Sequence, residues 1–452
     1  MKSAPFPSGA RSSRRDFLKT STRLAAGTAL VGAVARPGCT AENNTIKLAL
    51  VGCGGRGTGA ITQALSTPGP TVFWAAADVF ENRMNACLQQ VRRHKPETGN
   101  VPPERRFLGF DAYRKAIDSI SPGGVVLLAT PPAFRHLHVE YAVEKGCHVF
   151  MEKSFAVDGP GIRRILAAGR AAEARNLKIA SGLMSRHYPP LEHAIEQIHN
   201  GAIGDVITAW AYRMHGPVGI KPRQPGWSEL AYQIANYSCF TWLNGSFIVD
   251  WLIHNIDICC WLKGAWPVSV QGMGGRQTRT AADQLYDHYF AEYTFPDGTR
   301  LAAQGRHISN CWGFFGDKIE GTTGLAILGE GQPDPVLYRG HRPLPANVIW
   351  RHRGPKENAY QREHNLLFDA IRNDRPYNET ERSAQACLTA IMGRMACESG
   401  REITREEALN SDLSLAPDLA RITSLNDPPP ASATPDAEGR YPIAMPGVTK
   451  VL

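Results

Sequence analysis

From Thr45 onward, short unbroken apolar runs alternate with longer stretches whose apolar residues recur every three or four positions. The runs at 46–51, 71–77, 125–130 and 148–151 are apolar at nearly every position, as strands buried on both faces of a parallel sheet must be. A Gly-rich turn follows the first run, and a helix begins in 60–65. A further helical stretch, 132–145, closes at Gly146, which suits a C-cap. Strands alternating with helices predict an α/β fold with a doubly wound parallel sheet, a Rossmann domain over residues 45–155.

After residue 155 the texture changes. Helical stretches at 159–175 and 191–200, with a short strand between them, lead into a strand at 206–213. Longer strand-like runs follow at 268–272, 288–295 and 300–304, with Pro296-Asp297-Gly298 as a hairpin turn. Residues 156–410 therefore read as an α+β domain on a largely antiparallel sheet. Its late amphipathic helices, 362–372 and 381–399, are free to pack back on the first domain. Thr404-Arg405-Glu406-Glu407 forms a capping box, and the Pro-rich tail 411–452 is expected to drape over the surface.

The excess positive charge is concentrated at the front of the chain. The 452-residue chain carries a net +8, which invites a nucleic-acid or membrane reading. Residues 1–35 hold six basic side chains against the single acid Asp16, so the remainder carries only +3, and no nucleic-acid partner is expected. Ser13-Arg14-Arg15-Asp16-Phe17-Leu18-Lys19 is a twin-arginine pattern, followed by an apolar run at 24–35 that ends in Ala33-Val34-Ala35. That run falls short of the about 20 residues needed to span a bilayer. The segment reads as an export signal to the periplasm, with no stable membrane insertion after processing. Cys39 is a poorer candidate for lipid attachment, because Arg36-Pro37-Gly38 precedes it. The ten cysteines are scattered without a CxxC pair, so buried free thiols are expected.

Three clusters carry chemistry. Gly52-Cys53-Gly54-Gly55-Arg56-Gly57 matches G-x-G-x-x-G between a strand and a helix, and Asp78 ends the next strand 21 residues past Gly57. Glycines let the backbone approach a pyrophosphate, and a carboxylate at Asp78 suits ribose hydroxyls and repels a 2′-phosphate. NAD is thus expected over NADP, with Arg83 as a reservation. A tight turn without a ligand is the plainer alternative. The second cluster places Thr130, Pro131 and Pro132 at one strand end and Glu152-Lys153-Ser154 at the next, both facing the crevice beyond the carboxyl ends. Of the histidines between them, His136 is assigned to that crevice and His138 is not. Lys153 could equally pair with Glu152. The third cluster is Asp250, His254 and Asp257, at i, i+4 and i+7 on one helix face. A metal site, acid–base work by His254 with Asp250 orienting, and acids capping a buried helix all remain open; no metal is assigned.

In this order, with GCGGRG, ATPP, EKS, Gly201-Ala202-Ile203-Gly204-Asp205 and D-x-x-x-H-x-x-D, the chain resembles the Gfo/Idh/MocA oxidoreductases from about residue 45 to 410. The resemblance implies a nicotinamide cofactor held by Gly52, Gly54, Gly55, Arg56, Gly57, Asp78, Thr130, Pro131, His136, Glu152 and Lys153. It also implies a catalytic set of Lys153, Asp250 and His254, and a C-terminal open sheet that joins a homo-oligomer, a dimer or tetramer. Ser154 stands where that family has proline. Arg186 and Tyr188 fall in a segment that borders substrate. Of the five tryptophans in 227–266, Trp227 alone is expected at the substrate and the others in core or interface. The reaction expected is hydride transfer between a sugar, glycoside or cyclitol carbinol and tightly bound NAD. The alternatives are an NAD-dependent glycoside hydrolase working by transient oxidation and elimination, and a non-catalytic sugar-binding Rossmann protein.

Overall fold

The buried apolar runs β1 (Ile46–Val51), β2 (Thr71–Asp78), β4 (Val125–Leu128) and β5 (His148–Met151) form one six-stranded sheet with two short strands, β3 (Arg106–Leu108) and β6 (Ile179–Ser181); β3 has no buried residue and the sequence pattern did not mark it. The computed structural model describes residues 44–329 and 334–452. The twin-arginine segment and Cys39 lie outside the described residues. The strands run parallel in the order β3-β2-β1-β4-β5-β6, the doubly wound Rossmann arrangement. The strand order reverses between β1 and β4, where Val51 lies opposite Leu128. Loops leaving those two strand ends in opposite directions leave a crevice between them.

Two boundaries differ from the sequence reading. β6 pairs with β5 through Val149–Ile179 and Met151–Ser181, so the first sheet reaches beyond residue 155. Three residues carry too little pattern to be assigned to a sheet from sequence. The first helix spans Gly55–Ala64, so Gly55 and Gly57 stand inside its first turn, and only Gly52 and Gly54 precede it. The helix Ala359–Arg372 does pack back: its buried Leu367 and Phe368 share a core with Leu48, Phe73, Phe150 and Ala180.

A nine-stranded mixed sheet follows, in the order β14-β13-β12-β11-β7-β10-β9-β8-β15. Its members are β7 (Val206–His215), β8 (Ser269–Gly275), β9 (His288–Thr294), β10 (Arg300–His307), β11 (Phe314–Gly321), β12 (Gly324–Leu328), β13 (Val336–Arg339), β14 (Val348–Arg351) and β15 (Ile403–Thr404). Only β7 and β10 pair in parallel. The hairpin at Pro296-Asp297-Gly298 joins β9 to β10, and Gly298 takes the positive φ the turn demands (85°). The Thr404–Glu407 capping box forms. Among the described residues nine cysteines are free, and all but Cys311 are buried. No helix among the described residues is long and apolar enough to cross a membrane.

Candidate active site

The crevice between β1 and β4 is built by close backbone approach. Gly52 has φ +95°, and a Cβ there would stand 2.7 Å from the Ala129 carbonyl. A Cβ on Gly57 would meet Gly52 O at 2.0 Å, so this helix can lie against β1 only with glycine at that position. Gly54 and Gly55 instead face open space, with nothing within 4 Å of an added Cβ. Gly54 is also the N-cap of Gly55–Ala64 and offers no side chain to the first N–H groups. An anion can therefore reach those donors and the positive end of the helix. The crevice encloses about 830 Å³ of space, part of it open to solvent.

Asp78 lies at the end of β2, and its carboxylate accepts from Cys53 N at 2.6 Å and Phe80 N at 2.8 Å. Burial raises its pKa, against the pull of those two N–H groups and of Arg83. Arg83 lines the same crevice; its guanidinium donates to Ala235 O at 3.0 Å and lies 4.5 Å over the Phe80 ring. Arg56, Thr130 and Pro131 line the same crevice. The backbone cradle and the carboxylate fit a dinucleotide.

Three assignments to this crevice need correction. Residues two apart on a helix point to opposite sides, so His136 and His138 cannot both face it. His138 lines the crevice, with Nδ1 3.1 Å from Thr130 Oγ1, whereas His136 borders a separate cleft beside Asp158 and Arg164. Burial lowers both imidazoles to about 3. Glu152 does not line the crevice; it is buried and pairs with Arg56 Nε at 2.9 Å. Lys153 does not line it either. Arg135, which the sequence pattern did not mark, is buried and donates to the carbonyls of Thr130 and Glu152, tying the ends of β4 and β5 together.

Lys153 leaves the end of β5 toward the second cluster. Its ammonium donates to Asp250 Oδ1 at 2.7 Å and also to the Asp250 carbonyl. That carbonyl is available because Ile248–Leu252 forms a π-helical turn before the α-helix Ile253–Lys263. The neighbouring Val249 carbonyl accepts from Ser154 Oγ at 2.5 Å. Consecutive side chains of one segment thus hold consecutive carbonyls of the other. The contact rests on the Ser154 hydroxyl, which a proline at this position could not supply.

The wide turn also breaks the single polar face expected from the i, i+4, i+7 spacing. Asp257 turns to Arg186, which grips it at 2.7 and 2.8 Å, and Arg186 stacks over Trp261 at 5.0 Å. Arg186 is therefore a structural partner of Asp257. Tyr188 is buried and donates to Asp334 Oδ1 at 3.0 Å. Among the described residues no three His, Cys, Asp or Glu side chains come together as a metal site.

His254 is buried, and its Nδ1 has no hydrogen-bond partner among the described residues. Burial, and then the charges of Lys153 and Arg213, hold its pKa well below the ordinary 6.5, so the ring is neutral near pH 7. The opposing pull of Asp250 is spent on Lys153. Trp251 is the tryptophan at this site: Lys153 Nζ stands 5.8 Å from its ring, and His215 of β7 packs on it at 6.4 Å. Trp227 instead faces Phe80 at 6.3 Å, toward the Asp78 end of the crevice. Spacing alone could not separate the two rings, because the π turn sets which one meets Lys153.

No protein-family model matches the chain. Inositol 2-dehydrogenase of Ralstonia nicotianae is 25% identical over 316 residues, covering 68% of this chain and 81% of that protein. Among solved structures, aldose–aldose oxidoreductase from Caulobacter crescentus complexed with glycerol has a TM-score of 0.62 at 18% identity, covering 80% of this chain and 99% of that one. Scyllo-inositol dehydrogenase from Lactobacillus casei, with bound NAD(H) and scyllo-inositol, has a TM-score of 0.58 at 21% identity, with 80% and 99% covered. The structural likenesses show that the two-sheet fold is shared.

Proposed function

We propose that this protein is an oxidoreductase acting on a CH–OH group of a sugar, glycoside or cyclitol, with NAD held tightly in the β1/β4 crevice. The carrying observation is the Lys153 ammonium on Asp250, with a neutral His254 one turn further on, at the strand end next to that crevice. The inositol dehydrogenase relative supports chemistry at a CH–OH group. A nicotinamide held there would supply the acceptor for the hydride of the carbinol carbon. The chain's own residues handle the proton. His254, neutral, takes the hydroxyl proton as general base. Lys153 donates a hydrogen bond to the same oxygen and stabilises the negative charge that develops on it. Asp250 touches Lys153 and aims it, and the Trp251 ring offers an apolar face beside the ammonium for the sugar or cyclitol.

NAD is favoured over NADP because the Asp78 carboxylate would oppose a 2′-phosphate, while Arg83 is held by Ala235 and Phe80. The non-catalytic reading needs Lys153 and His254 apart, whereas Lys153 bonds Asp250 at 2.7 Å, four residues before His254. The twin-arginine sequence supports export of the folded, loaded protein to the periplasm, where a retained cofactor would have to be reoxidised by a second substrate or turn over redox-neutrally. A second copy of the chain is proposed to cover the outer face of the large sheet, where Met273 is 65% and Trp312 56% exposed. Incubation with a panel of cyclitols, aldoses and glycosides tests the reading. Reduced-nicotinamide absorbance with a ketone product supports the dehydrogenase, and a free sugar with aglycone supports the hydrolase. No reaction with His254 and Lys153 intact counts against both.

A further inference from the structure

The C-terminal tail, expected to drape over the surface, is tied into the wall of the nucleotide crevice. We infer that residues 425–444 brace the segment 228–240 against that crevice and thereby set how slowly the nucleotide leaves. The inference rests on the crevice being the nucleotide site proposed above.

The wall is short and cannot hold itself. Ile234 and Tyr237 line the crevice, and Ala235 O receives Arg83 from the far side of the opening. The helix that carries this edge, Glu229–Ala235, has seven residues, too few to be stable without packing. Leu230, Tyr232 and Ile234 join the main core, and the tail adds direct bonds to this helix and its cap. Ser228, its N-cap, donates its hydroxyl to Leu425 O. Gln233 is fully buried; its amide nitrogen donates to Ala433 O and to Glu229 Oε1, each at 2.8 Å, while its oxygen accepts from Trp242 Nε1 at 2.7 Å. Tyr441 donates to Glu229 Oε1 at 2.5 Å and sets its ring edge-on to Phe240 at 5.0 Å.

The other side of the tail is anchored away from the crevice. Gln284 donates to Ser432 O at 2.8 Å and Pro442 O at 3.2 Å, and Tyr286 donates to Ala444 O at 2.6 Å. Ala433 and Tyr441 are buried. Tyr441, Gln284 and Tyr286 are therefore positioning residues: they touch no crevice atom but hold the edge that does. Ile234 and Tyr237 cover one side of the crevice, so a nucleotide beneath them leaves faster when this edge swings out, and each hydrogen bond that must break slows that motion by about fivefold.

The test measures NADH release, with NADPH in a parallel arm, by fluorescence chase from the full-length protein. Tyr441→Ala removes one bond and the ring contact at the wall, and Gln284→Ala/Tyr286→Phe loosens the tail while keeping the backbone bond from Gln284 N to Cys239 O of the wall at 3.1 Å. Tyr441→Phe keeps the ring. Thermal melts run alongside, since a merely structural role lowers Tm and leaves release unchanged. The expected result is release at least roughly tenfold faster in the first two, intermediate in Tyr441→Phe, with association changed much less. Release within twofold of the wild type in both loosened variants overturns the inference while leaving the nucleotide site intact. If the wild type binds neither NADH nor NADPH, it is the functional reading that fails.

Discussion

Substituting Asp78 by asparagine removes a charge from the crevice while keeping the shape of the side chain. The carboxylate accepts from Cys53 N and Phe80 N, at 2.6 and 2.8 Å, and its remaining lone pairs face the crevice. A 2′-phosphate brought to about 5 Å from that charge is opposed by about 3 kcal/mol at an effective dielectric of about 20. Partial solvent access trims the effect, leaving a ten- to hundredfold preference for NADH as a rough expectation. In Asp78→Asn the repulsion goes, and one amide acceptor is lost against the two backbone donors, worth about 1 kcal/mol. The NADH Kd should rise at most roughly fivefold, while loss of the repulsion lowers the NADPH Kd, so that their ratio shifts toward NADPH by about tenfold or more. Fluorescence titration of both nucleotides against both proteins measures this. A Kd ratio within twofold of the wild-type value would show that Asp78 does not read the ribose and would remove the argument for NAD.

His254→Ala should lower kcat/KM by about 10²–10⁴-fold with NADH binding retained. In the wild type, a base whose pKa lies well below 6.5 keeps kcat/KM flat from neutrality down past pH 6.5, and the loss comes only below it as the ring protonates; an acid limb centred at or above 6.5 would contradict the assigned environment. Ser154→Ala strips the 2.5 Å bond to Val249 O and frees the π turn that carries Asp250. The expected result is roughly a tenfold fall in kcat with little change in KM, about 1.4 kcal/mol of transition-state stabilisation, and equal changes in both constants would refute a positioning role. Gly57→Ala places a Cβ 2.0 Å from Gly52 O and should cost about 1–3 kcal/mol of stability, read as a lower Tm; an unchanged Tm would show that the helix can shift off β1 freely.

The parallel sheet was legible because its strands are short apolar runs bounded by turn residues. The Gly52–Gly57 cradle and Asp78 followed from the same logic, since backbone approach and ribose recognition each leave a local residue signature. What stayed hidden depends on contacts distant in sequence. β6 reads as a short strand in the sequence, but its three residues do not say that it joins the first sheet, beside β5. The side of the helix that reaches the crevice, His138 and not His136, depends on the start of Arg135–Glu144, which sequence spacing fixes only to within a residue or two. The π turn at Ile248–Leu252 has no local sequence mark, yet it separates Asp250 from Asp257 and brings Trp251 to Lys153. Arg186, well placed by sequence to meet a substrate, was claimed by a buried aspartate 71 residues away.

The most direct test of the central claim is the near-ultraviolet absorbance of reduced nicotinamide when the purified protein, loaded with NAD, meets a panel of cyclitols and aldoses. The expected result is absorbance rising with at least one of them in the wild type, and slowed about a hundredfold or more in Lys153→Ala, which keeps its nucleotide. Equal rates in the wild type and Lys153→Ala, or no reduction and no product from any substrate with NAD demonstrably bound, would contradict it.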